Sequence, residues 1–316
     1  MRATQLRIVP DWGGLGETEA TVRLLVTGAS GQLGAYILRS VGGWGGSVIA
    51  WSGSRGGESQ GHPLRPVDFS DPDQLCAAFR EACPAVVIHA GAVASVGACS
   101  QNPGRAWRVN ADGSAVLARL ADAAGARLVQ VSTDLVFDGR RGWHREGDPT
   151  APFSVYGRTK VAGEQAVLAT RRGAVVRVGL LFGPTLTGKP TFFDEQVAAV
   201  RSRQPIRLFE DEWRTPLDLP TAGRALVALA RSDFRGPIHL GGPERMSRFE
   251  MGRRLAGLLG GDPSSVLPSS REGAGAEPRP RDVSLDSSLW RAQFPEQLGP
   301  GWDRAVRLMG LCPSGG

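Results

Sequence analysis

The stretch VTGASGQLGAYIL places Gly28, Gly31 and Gly34 at GxxGxxG spacing, directly after an apolar run and at the head of an amphipathic one. Glycine lets such a turn adopt φ > 0 and lets a ligand approach the backbone, while the helix N-terminus behind it offers N–H groups and partial positive charge. In a chain with 43 glycines the triplet alone would carry little. Its place between a strand and a helix makes it read as a cradle for the pyrophosphate of a dinucleotide.

The surrounding chain supports that reading. Short β-prone runs at 22–26, 47–51, 85–89, 127–132 and 174–178 alternate with helix-like stretches at 32–39, 73–80, 106–123 and 155–169. Such βαβα order predicts an α/β fold of Rossmann type, a doubly wound parallel sheet covered by helices on both faces. Residues 1–21 lack either periodicity and read as an irregular N-terminal extension, so the dinucleotide-binding domain is expected over 22–180. From residue 181 the rhythm changes, with Gly183-Pro184, Gly188-Lys189-Pro190 and a Ser/Gly/Pro-rich stretch at 262–280. A smaller C-terminal substrate-binding region over 181–316 follows, with some elements returning to the sheet, placed where open α/β sheets bind ligands.

Composition narrows the function classes. No run approaches eighteen apolar residues and the N-terminus lacks a signal-like apolar core, so a soluble cytoplasmic protein with no membrane partner is expected. The net charge of +6 is dispersed rather than gathered into a stripe, which argues against nucleic acid. Four cysteines without a CxxC pair and four scattered histidines point to no metal site.

An acidic residue after the second strand would bind the ribose 2′-OH of NAD and repel a 2′-phosphate. Here VIAWSGSRGG has none, and Ser52, Ser54 and Arg55 stand ready for the 2′-phosphate of NADPH, with NADH as the alternative. Arg55 also reads as one more solvated arginine. In PVDFSD, Asp68 could face the adenine, although a turn or helix cap suits Asp68 or Asp71 nearly as well. Ala90, Gly91 and Ala92 leave room for a flat cofactor or, equally, for close helix packing. Ser30, Gln32, Leu33, Phe69 and Asn110 complete the expected cofactor contacts.

Two segments carry reactive groups. VQVSTDLVFDG presents the hydroxyls of Ser132 and Thr133 at a strand end, and FSVYGRTKVAGEQ sets Tyr156 and Lys160 four apart at the start of a helix, on one face. A free phenol titrates near pKa ~10, and a nearby ammonium favours its release of a proton. Of 37 Lys+Arg only Lys160 and Lys189 are lysine, and only Tyr36 and Tyr156 are tyrosine. A YxxxK match by chance is expected roughly once in eighty such chains.

Together the glycine triplet, VSTDLVFDG and VYGRTKVAGE resemble the extended short-chain dehydrogenase/reductases, and most closely the dTDP-4-dehydrorhamnose reductase family. RVGLLFGP, WRTPLDLPTAGRAL, RPRDVSLD and LGPGWDRAV extend the likeness from about Val22 to near Trp302. The resemblance implies a catalytic triad of Thr133, Tyr156 and Lys160, with Ser132 as an alternative hydroxyl. It also implies hydride transfer to a sugar C4 carbonyl, Tyr156 as proton donor, and Lys160 on the nicotinamide ribose. Lys189 and Arg214 are candidates for a substrate diphosphate or are plain surface charges. The sequence departs from the family at Leu135, where an aromatic residue is usual, and at Trp143 and His144, where a Pro-Tyr pair is typical. The leading expectation is a reductase of a nucleotide-linked 4-keto sugar, with a homodimer compatible. A nucleotide-sugar epimerase shares the triad, and the β subunit of methionine adenosyltransferase is a regulatory relative of the same pattern.

Overall fold

Val26 and its neighbours form a strand because a continuous apolar run, buried at every position, suits a sheet covered on both faces. The computed structural model describes residues 22–272 and 279–312, so the extension expected over 1–21 lies outside the described residues. The chain divides into two compact units. Of the described residues, the first holds those up to Ser132, Thr159–Val176 and Gly223–Ile238; the second holds Thr133–Arg158, Arg177–Ala222 and those from His239 on.

The first unit is built on an eight-stranded sheet. Its strands are β1 (Leu24–Thr27), β2 (Val48–Ser52), β3 (Glu58–Ser59), β4 (His62–Pro66), β5 (Val86–His89), β6 (Arg127–Thr133), β7 (Gly173–Val178) and the strand Gly236–Leu240. Their spatial order is Gly236–Leu240, β7, β6, β5, β1, β2, β4, β3. β1 pairs in parallel with β2 and β5, β2 with β4, and β5 with β6, while β3 runs antiparallel to β4. The expected Rossmann-type sheet is therefore present. Winding reverses on either side of β1, which creates the switch point beside β5 where such sheets bind ligands.

Helix Gln32–Ser40 follows β1 and buries Gly34, Ala35, Tyr36, Ile37 and Leu38. Helix Pro72–Ala82 starts with Pro72 in its first turn, and the Asp71 carboxylate accepts from the amides of Asp73 and Gln74 at 3.1 and 3.0 Å. Leu25, Trp51, Leu75, Phe79, Val87, Leu117 and Leu128 form a core that joins sheet to helices. Each fully buried large apolar side chain there contributes about 1.5–3 kcal/mol. The single helix expected over 106–123 is three pieces: Pro103–Trp107, a π-helical turn Arg108–Asp112, and Gly113–Ala123. A widened turn re-aims side chains, and here it carries Asn110.

The second unit has its own core of Phe182, Phe193, Met246, Met251, Leu255 and Trp302, with the Phe182 and Trp302 rings 4.2 Å apart. Thr191 and Asp194 form a capping box on helix Phe192–Arg201, and Ser247 caps helix Arg248–Leu258. Leu181–Phe182 pairs in parallel with Leu217–Asp218, and Trp213–Arg214 pairs antiparallel with Met246–Ser247. Within the stretch expected to be irregular, Val266–Ser269 is a strand in parallel with Ile206–Phe209. Four residues that include Pro268 carry little local signal, so this pairing is set by its tertiary partner.

Candidate active site

In the first unit the glycine triplet closes the turn from β1 into the helix. Gly28 sits at φ +68°, and a Cβ there would lie 2.6 Å from the carbonyl carbon of Ala90, just beyond β5. Only glycine fits both demands. Gly34 is equally pressed, because its Cβ would meet the Gly28 carbonyl. Gly31, at φ −84°, is the helix N-cap and offers no side chain to its first-turn amides, while its own N–H donates to the Gly28 carbonyl at 2.9 Å. Ser30, Gln32 and Leu33 are half-buried around this turn, and Ala90, Gly91 and Ala92 are half-buried after β5. The Gly91 amide is held by the Thr27 hydroxyl at 3.1 Å.

His89 ties this end of the sheet together and was not a candidate from sequence. Its Nδ1 lies 2.7 Å from Thr27 Oγ1 and its Nε2 3.0 Å from Ser114 Oγ, and its ring stacks on Phe69 at 5.1 Å. Burial, reinforced by the charge of Lys160, pushes its pKa down to about 3, so the imidazole is neutral. Phe69 is buried against His89 and Trp51.

At the end of β2, Ser54 and Arg55 are exposed, whereas Ser52 is buried and donates its hydroxyl to the Arg55 carbonyl. Ser52 therefore shapes the turn that presents Arg55. Asp68 is exposed and accepts from the amide and hydroxyl of Ser70 at 2.8 and 2.7 Å; those bonds lower its pKa. It serves as a turn anchor, and Asp71 is the helix cap. Asn110, fully buried, accepts from the Val93 amide at 2.8 Å and donates to the Val93 carbonyl and to Thr159 Oγ1, each at 3.1 Å. These bonds tie Asn110 to the loop after β5.

The same unit holds Lys160, buried, with Nζ donating to the Val131 carbonyl at 2.7 Å. Burial lowers its pKa to about 8, against the opposing pull of the Glu164 carboxylate. Ser132, also buried, donates its hydroxyl to Glu164 Oε1. Ser132 and Thr133 thus each donate to a carboxylate, Ser132 to Glu164 and Thr133 to Asp134. The i,i+4 spacing of Lys160 and Glu164 in KVAGE was the signal that could have found Glu164.

In the second unit Thr133 ends β6, donating to Asp134 Oδ1 and accepting from the Leu135 amide, both at 3.2 Å. Tyr156 is half-buried in the first turn of helix Val155–Leu168, one turn ahead of Lys160 on the same helix. Gly157 lets that turn approach the Leu135 backbone, which any Cβ would strike. Lys189 is exposed in the loop before helix Phe192–Arg201. Arg214 is neither a surface charge nor an open anion-binding fork. Its Nη1 lies 2.9 Å from both carboxylate oxygens of Asp134 and its Nη2 3.2 Å from Glu212. Glu212, buried, also receives Arg279 at 3.1 Å and faces Arg248 at 3.7 Å, and these arginines hold its carboxyl below the usual range despite burial. The departure at Trp143 and His144 leaves Trp143 half exposed at φ +56° and His144 buried against Phe137, rings 4.0 Å apart.

The chain matches the family model described as RmlD substrate binding domain over residues 22–309. It is 34% identical over 286 residues to a dTDP-4-dehydrorhamnose reductase of Streptomyces griseus, covering 87% of this chain and 89% of that protein. It is also 30% identical over 319 residues to the methionine adenosyltransferase 2 subunit beta of Pongo abelii, covering 96% and 91%. Among solved structures, the dTDP-4-dehydrorhamnose reductase of Bacillus anthracis str. Ames in complex with NADP is similar with a TM-score of 0.81. That likeness covers 92% of this chain and 99% of the other at 24% identity, and it speaks to the fold. With its sheet, glycine turn and Tyr156/Lys160 helix, the chain belongs to the RmlD substrate-binding domain family of extended short-chain dehydrogenase/reductases.

Proposed function

We propose that the protein is an NADPH-dependent reductase of a nucleotide-linked 4-keto sugar, with dTDP-4-dehydrorhamnose as the first substrate to try. The observation that carries this reading is Tyr156 one helical turn from a buried Lys160, in a chain that uses arginine almost everywhere else. The reductase from Streptomyces griseus, similar over most of both chains, supports the substrate class.

The residues fit a dinucleotide. Gly28 and Gly34 leave no space for a Cβ, the helix they open has no side-chain cap, and no carboxylate follows β2 where Ser54 and Arg55 are exposed. Bound NADPH would supply the hydride for the carbonyl carbon. Tyr156 would pass its phenolic proton to the carbonyl oxygen. Lys160, with a pKa of about 8, is mostly protonated at neutral pH, which lowers the cost of the tyrosinate left behind. Thr133, whose hydroxyl is not tied to Glu164, would orient the carbonyl.

The proposed setting is the cytoplasm, as a monomer or a homodimer, with no nucleic acid or membrane as partner. Among the described residues no helix is long and apolar enough to cross a membrane. A second reading, a dinucleotide-binding regulatory subunit, is favoured by the likeness to methionine adenosyltransferase 2 subunit beta across 96% of this chain. Incubating the protein with NADPH and dTDP-4-keto sugars separates the two. Oxidation of NADPH is expected; tight NADPH binding without turnover on any of them would favour the regulatory role.

Cofactor choice gives a sharper test. Arg55→Ala should weaken NADPH by about 1.5–3 kcal/mol through loss of a charge-assisted bond to the 2′-phosphate, and leave NADH nearly unchanged. Titration calorimetry with both cofactors reads this directly. Equal losses would remove Arg55 from the 2′-phosphate.

A further inference from the structure

Lys160 is an ammonium almost without solvent, and its Nζ donates to the neutral Val131 carbonyl. A buried cation needs a compensating charge or it sheds its proton. Glu164 and Cys99 act on its charge, and that charge in turn acts on His89. Cys99 lies on helix Val96–Gln101 and is a thiol whose pKa burial raises. His89 on β5 is a neutral imidazole at physiological pH, its pKa pushed down to about 3. Glu164 lies one turn farther along Lys160's own helix, buried, with the Ser132 hydroxyl donating to it from β6. Of these three, Glu164 is the carboxylate.

We propose that Glu164, anchored by Ser132, is a positioning residue that supplies the buried counter-charge of Lys160. This rests on the reading of Tyr156 and Lys160 as the proton-transfer pair, and it gives Ser132 a task that its neighbour Thr133 does not share. Successive residues of a strand point to opposite faces, and Ser132 donates to Glu164 while Thr133 donates to Asp134. Glu164 acts only through Lys160: its field keeps the ammonium charged at the pH where the tyrosine must give up its proton. Without that field the lysine would neutralise at lower pH, and tyrosinate would lose its stabilising neighbour.

The chain's two lysines make a direct test possible. Protein labelled with 13C at lysine Cε should give two NMR signals, assigned with Lys189→Arg, and titration of the Lys160 signal reads its pKa without any substrate. Glu164→Gln should lower that pKa by one unit or more, a tenfold loss of proton affinity. The alkaline limb of the NADPH oxidation rate should move to lower pH by the same amount, with the rate partly recovered at lower pH. A titration unchanged within about 0.3 unit would overturn the proposal. If the titration shifts and the rate profile does not, Glu164 is the counter-charge and the reading of Lys160 as part of the proton step falls instead. Should Glu164→Gln fail to fold, Glu164→Asp withdraws the carboxylate by one methylene. It should give a smaller, resolved fall in the Lys160 titration, and no fall would overturn the proposal.

Discussion

Replacing Tyr156 by phenylalanine should lower the single-turnover rate of NADPH oxidation by a factor on the order of 10² to 10⁴, the usual worth of a positioned general acid. The aromatic ring stays, so the half-buried site beside the Gly157 turn keeps its packing and the helix carrying Lys160 is undisturbed. Cofactor binding should persist, because the Gly28 cradle and Arg55 belong to other elements. What disappears is one transferable proton. A phenol with a pKa near ~10 is a poor acid at neutral pH unless a cation stands nearby, and Lys160, still mostly charged there, is that cation in the proposed mechanism. Circular dichroism and NADPH titration establish that the variant is folded and binds. A near-normal rate would then mean that another group delivers the proton, or that the protein's task is binding rather than reduction.

Those parts of the site that depend on local chain geometry were legible in the sequence. The run at 127–132 is Arg127–Thr133, and the helix expected at 155–169 is Val155–Leu168. The glycine turn was equally readable, since two of its three positions admit no Cβ. What sequence could not decide was direction. Ser132 and Thr133 are adjacent hydroxyls, and only the pleat of β6 sends one to Glu164 and the other to Asp134. Nor does helix propensity mark the π-turn at Arg108–Asp112, which carries the Asn110 that bonds Val93. Thr133–Arg158 gathers with later chain into the second unit although it directly follows a central strand, a consequence of packing that no local pattern encodes. Sequence singles out Arg214 as a candidate but not its partners, because a buried arginine looks like any other until Asp134 and Glu212 are seen beside it.

Those partners make Arg214→Leu the most damaging change expected for stability. Asp134 is 3% exposed and Glu212 1%, and Arg214, at 7%, contacts both. Removing one member of a buried ion pair strands the opposite charge away from water, which costs about 3–5 kcal/mol, a large share of a typical domain's stability. Burial already raises the pKa of Asp134 in spite of the guanidinium, so without it the carboxyl would be driven further toward its neutral form. Glu212 would retain Arg279 and Arg248 and should lose less. The double variant Asp134→Asn/Arg214→Leu should therefore cost less than the sum of its single changes, because neutralising both partners removes the stranded charge. Thr133, whose hydroxyl leans on Asp134, should also lose its orientation in Arg214→Leu, so turnover of the folded fraction should fall with NADPH affinity intact. Urea unfolding of the three variants measures the coupling. If Arg214→Leu unfolds at the wild-type midpoint and instead raises the KM for a nucleotide sugar, the arginine serves the substrate and the clamp on Asp134 is incidental.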